Sequence, residues 1–179
     1  FFELEKLETK KTIKIYGDLE QYRLHIEEGE EQYQEWMIAD TNDGNINLLS
    51  LKECQKTNSH SDMTEEDFER NIIHEFVHIC EQEYHQSAEH CAWFWEALAL
   101  NLGDPFDHVV PNSFTSEELM DQFYGLNDAY LVAYTLGKFM LENYSKDRIL
   151  NYVKDSELLI HDTDQIIEDA KDWFNQTYL

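Results

Sequence analysis

The chain has 179 residues, 42% hydrophobic and 13% aromatic, which suffices for a core and excludes a disordered composition. Its 38 acidic against 13 basic residues give a formal net charge of −25. That balance argues against binding to nucleic acid or anionic membranes, and it marks chiefly a solvated acidic surface, with cationic partners or substrates as a secondary implication. No run approaches the about 18 apolar residues of a membrane span. No signal-peptide pattern follows Phe1, and the three cysteines (Cys54, Cys80, Cys91) form no short metal-binding pair. Their odd number slightly favours a reducing, cytoplasmic setting over a secreted mature form.

Thr12–Tyr16 alternates at period two and predicts a strand, broken by Gly17-Asp18. Leu19–Glu31 has a weak helical pattern that ends in an acidic turn. Residues 35–39 and Ile46–Leu51 predict a hairpin across the turn formers Asp40–Asn45, and 52–63 predicts a loop. Thr64, with Asp67 three residues on, opens a capped helix of about 64–83 whose apolar stripe is Phe68, Ile72, Phe76 and Ile79. A second helix spans Ala92–Leu102 and stops at Gly103-Asp104-Pro105. Shorter and longer helices follow at 116–124, 128–142 and 145–152, and a last one is capped by Asp162 or Thr163. Strands precede helices, so the expected class is α+β. The expected organisation is one domain over 1–179, with 1–63 mainly strands and loops and 64–179 mainly helices.

The first of the two strong helices carries His74-Glu75-Phe76-Val77-His78. On a helix, i and i+4 share a face, so H-E-x-x-H aims two imidazoles at one point with Glu75 beside them. Zn2+ held by His74 and His78, with Glu75 as general base, is the chemistry this pattern suits. A catalytic zinc wants a third protein ligand. Position 81 is Glu and position 84 is Tyr, so the metzincin continuation is absent. Candidates are Glu81, Glu83, Glu89 and Glu96, with His85 and His90 weaker. Glu81 lies a turn beyond His78 and converges poorly. Glu96 sits among Trp93, Phe94, Trp95, Ala97 and Leu98, where a carboxylate needs a partner. Antiparallel packing of the two helices would return it to the histidines, so Glu96 is favoured and Glu89 is the alternative. Cys80, Cys91, Trp93 and Trp95 read as core.

H-E-x-x-H followed by Trp93-Phe94-Trp95-Glu96-Ala97-Leu98-Ala99, with Glu96 eighteen residues after His78, resembles the gluzincin-type zinc metallopeptidases, the thermolysin-like superfamily. Ala97 stands where that pattern usually has Gly. The likeness covers most of residues 12–155. It implies a compact zincin-like domain with a small antiparallel or mixed sheet. Thr12–Tyr16 would be the first strand, and Asn45–Leu51 an edge strand that pairs with an extended peptide or protein substrate. It also implies a later helix, led by Ala129-Tyr130, whose Tyr faces the zinc.

On that basis the expected activity is hydrolysis of peptide bonds by a metal-activated water, in an endo- or exopeptidase. Tyr130 would stabilise the oxyanion, with Tyr134 or His108 as substitutes, and Glu89 and Asp128 are the candidates to brace a histidine. The competing expectation is a catalytically inactive, protein-binding module of the same fold.

Overall fold

The computed structural model describes residues 1–29, 32–41, 44–85, 91–103, 105–106 and 108–179. The N-terminal part contains β1 (Ile13–Tyr16), α1 (Leu19–Glu28), β2 (Ala39–Asp40), β3 (Ile46–Leu49) and a one-turn α2 (Leu51–Cys54). Helices follow: α3 (Glu65–Tyr84), α4 (Ala92–Leu102), α5 (Ser116–Asp121), α6 (Ala129–Asn143), α7 (Lys146–Lys154) and α8 (Ser156–Tyr178), with a 3-10 turn at Phe123–Gly125. A small mixed sheet thus precedes a mostly helical region, an α+β arrangement. No helix among the described residues is long and apolar enough to cross a membrane.

The sheet order is β1-β3-β2. β1 runs parallel to β3, with Ile13 opposite Ile46 and Tyr16 opposite Leu49. β2 pairs antiparallel, with Ala39 opposite Leu48 and Asp40 opposite Asn47. The expectation of an edge strand at 45–51 is therefore corrected: β3 is central, all four of its residues are buried, and Leu51 already belongs to α2. Ile46, Leu48 and Leu49 are buried among apolar neighbours, and the buried Asn47 donates to Asp40 of β2 at 3.3 Å. Leu48 meets Ile79 of α3, while Leu49 packs with Tyr22 and Ile26 of α1. The edges fall to β1 and β2. The predicted loop 52–63 also yields its first residues to α2.

α3 starts as its caps dictate. The Thr64 hydroxyl accepts from the Asp67 amide, and the Asp67 carboxylate accepts from the Thr64 amide at 2.8 Å, so two orphan donors are satisfied. The predicted stripe is only partly right. Ile79 is fully buried, but Phe76 is 45% exposed and lines an apolar groove with Phe1, Phe2 and Val77. The inward face instead carries Glu75, His78 and Glu81. α8 begins at Ser156, capped by Asp155, rather than at Asp162 or Thr163. Thr163 lies buried inside it, its hydroxyl donating back to the Leu159 carbonyl at 2.8 Å.

α4 is the centre of the helical half. Trp93 through Leu100 are all buried, which an all-round apolar sequence permits. Each large side chain there contributes about 1.5–3 kcal/mol of transfer free energy. α3 and α4 run antiparallel: Gly103, ending α4, abuts the His74 backbone, while Trp95 meets the His85 ring edge-on at 5.1 Å. Gly103 has a φ of −117°, so no left-handed cap requires glycine there. Closeness does, because a Cβ would lie 2.6 Å from the His74 amide nitrogen. Gly137 of α6 serves the same purpose on the other side, where a Cβ would lie 2.5 Å from the Ala97 carbonyl.

Candidate metal centre

Two elements build the site. α3 presents His74 and His78 one turn apart, and their Nε2 atoms face each other at 3.1 Å. α4, held against α3 at Gly103, brings the Glu96 Oε2 to 3.3 Å from His74 Nε2 and 3.9 Å from His78 Nε2. Three corners of a tetrahedron around an ion with bonds of about 2.0–2.1 Å lie about 3.3–3.4 Å apart. The two separations that involve His74 lie close to that spacing, and the third, between His78 and Glu96, would have to close by about 0.5 Å around an ion.

The chemistry of the donors agrees. Glu96 is 7% exposed, and its Oε2 has no aligned hydrogen-bond donor. Its other oxygen, Oε1, accepts from the Tyr124 hydroxyl at 3.3 Å. Two facing imidazole nitrogens at hydrogen-bond distance must share one proton, unless a cation takes both lone pairs. His74, His78 and Glu96 therefore form a cluster able to coordinate a divalent metal ion.

Glu81 completes the arrangement, and the sequence reasoning considered it only as a ligand. Its Oε2 lies 2.8 Å from His78 Nδ1, on the side of the ring away from the cluster. A proton held between Glu81 and Nδ1 leaves Nε2 as the lone-pair nitrogen, the tautomer a metal requires. The signal was legible, since Glu81 follows His78 by three residues on one helix face. Of the two braces proposed from the sequence, Glu89 lies outside the described residues, as does His90, whereas Asp128 is an exposed residue in left-handed backbone before α6.

Glu75 is 8% exposed and shares the cleft wall with the cluster. Burial raises its carboxyl pKa, and the neighbouring His78 and His74 only partly offset this. Glu96 behaves oppositely. Burial pushes it up, but contact with His74, the charge of both imidazoles and the Tyr124 hydroxyl together hold it below the usual carboxylate range. Burial, reinforced by the Glu96 charge, raises Glu81 well above that range.

The cleft in front of the cluster has a volume of about 880 Å³. Tyr130 lines it, its pKa raised by burial and by the Glu96 and Glu75 charges. Tyr124, which sequence reasoning missed, lines it as well. Tyr134 is instead buried against Phe106 at 5.6 Å between ring centroids, and His108 is exposed outside the cleft lining. Glu83 is engaged elsewhere, bridging to Lys11 at 3.2 Å and accepting from the Glu8 amide. His85 donates to the Val153 carbonyl at 3.2 Å. Comparison with protein-family models, with curated proteins and with solved structures gives no match.

Proposed function

We propose that the chain is a zinc-dependent peptidase of compact gluzincin type, with His74, His78 and Glu96 as metal ligands and Glu75 as general base. What carries this reading is the convergence of three ligand atoms on one point, with a buried carboxyl from the same H-E-x-x-H turn lining the same cleft. A bound zinc supplies a Lewis acid that lowers the pKa of water and polarises a carbonyl.

The chain's own residues do the rest. Glu75, its pKa raised by burial and so a stronger base than an exposed carboxylate, is suited to take a proton from water and return it to the departing amine. Tyr130 keeps its proton and serves as the donor to the developing oxyanion. Tyr124 orients Glu96, and Glu81 orients His78. Since β3 is central, β2 takes over the role of the edge that an extended substrate would join.

The test is Glu75→Gln. Zinc content should stay stoichiometric while cleavage of a mixed peptide library falls by about 10²–10⁴-fold. Undiminished cleavage removes Glu75 from the mechanism. A wild-type protein that binds zinc and cleaves nothing in the library refutes the peptidase assignment.

A further inference from the structure

The cleft is one-sided in charge. Its wall carries the carboxyl groups of Asp40, Glu75 and Glu96 and the imidazoles of His60, His74 and His78, but neither an ammonium nor a guanidinium. All 13 lysines and arginines of the sequence fall among the described residues, and none lines the cleft. Segments outside the described residues contain neither residue type, so they supply neither an ammonium nor a guanidinium side chain.

Asp40 is fixed rather than incidental. It stands on β2, and Tyr22 donates its hydroxyl to Oδ2 at 3.3 Å. Asn47 donates to Oδ1 at 3.3 Å, and His25 Nε2 lies 3.2 Å from the same oxygen. Three groups from α1 and β3 thus hold this carboxylate at the cleft wall. Beside it the wall is apolar, with Trp36, Met37 and Ile38 on one side and Trp95, Leu100 and Phe106 also lining. Trp36 is 47% exposed and offers an aromatic face. An apolar surface ending in fixed carboxylates is complementary to side chains with an aliphatic stem and a cationic head.

Resting on the peptidase reading, we propose that this cleft selects polypeptide segments bearing lysine or arginine and rejects segments bearing aspartate, glutamate or a free C-terminal carboxylate. Rejection follows from the same arrangement: an anionic side chain seated beside Asp40, away from the metal centre, loses its hydration and meets neither an ammonium nor a guanidinium.

Two fluorescent peptides of equal length, differing only in a central Lys-Lys or Glu-Glu, test this by anisotropy titration at pH 8 into zinc-loaded Glu75→Gln protein. The Lys peptide should bind at least about tenfold more tightly, and Asp40→Asn should cut the ratio by about threefold or more. Asp172→Asn, on α8 outside the cleft lining, should leave it unchanged. Should Asp40→Asn fail to fold, salt decides the matter. A ratio set inside the cleft survives a rise from about 0.15 M to about 0.5 M salt, whereas one set by diffuse surface charge collapses. Equal binding, tighter binding of the Glu peptide, binding of neither, or a ratio that responds alike to both variants overturns the proposal. Cleavage by the wild type is scored separately. Selective binding without cleavage refutes the peptidase reading and supports the charge selection, whereas equal kcat/KM on both peptides refutes the charge selection and supports the peptidase reading.

Discussion

Glu81 and Glu96 lie close together in the molecule yet respond to burial in opposite directions, because only Glu96 faces two imidazoles. Consider the metal-free protein. The Glu96 pKa is lowered from 4.5, so its contribution to stability is present above that value and is lost as pH falls through the folded pKa. The Glu81 pKa is raised, so the folded state holds its proton more tightly than the unfolded chain does. Stability from this group is full below 4.5 and declines as pH rises through the folded value. Glu81→Gln should therefore flatten the decline of the melting temperature on the alkaline side in protein stripped with a chelator. The same substitution should weaken metal affinity by about 10–100-fold, since the partner that sets the His78 tautomer changes. A metal competition titration checks the second effect, and an unaltered affinity would remove Glu81 from the site. Glu96→Ala should abolish stoichiometric metal binding altogether.

Helix α4 delivers Glu96 because it is clamped between α3 and α6 with glycine at both contacts. Helix propensity favours replacing the mid-helix Gly137 by Ala by about 1 kcal/mol. Collision opposes it, and collision should win: the obstacle is the Ala97 backbone carbonyl at 2.5 Å, which cannot swing aside. Gly137→Ala should cost about 1–3 kcal/mol net, visible as a lowered denaturation midpoint. Gly103→Ala should cost a similar amount and also weaken metal binding, because the clash falls on the backbone of His74 itself. A Gly103→Ala protein with wild-type stability would mean that α3 and α4 slide freely. The misjudged stripe on α3 has a cause at this scale too. Spacing identifies an apolar face but not its orientation, and here the polar face turns inward to the cleft while Phe76 turns to the N-terminal segment.

Across the whole molecule the net charge of −25 sets a background of self-repulsion that local ion pairs only partly relieve. Raising salt from about 0.01 M to about 0.3 M shortens the Debye length from about 30 Å to under 8 Å. The melting temperature should therefore rise by several degrees in a scan at fixed pH, and a fall would show that surface ion pairs outweigh the repulsion. The division between what could be read and what could not also appears at this scale. Interactions within about one helical turn were legible without coordinates: the Thr64–Asp67 cap, the i and i+4 placement of His74 and His78, the end of α4 at Gly103 and the α+β order of elements. Glu96 was legible at longer range because a carboxylate amid Trp93, Phe94 and Trp95 must be paired. Which strand is central, which face of α3 is buried, that Tyr124 rather than Tyr134 or His108 reaches Glu96, and that neither lysine nor arginine lines the cleft were decided by the tertiary structure alone. Backbone propensity and side-chain spacing act over a few residues, whereas these features depend on which distant segments come to lie against each other.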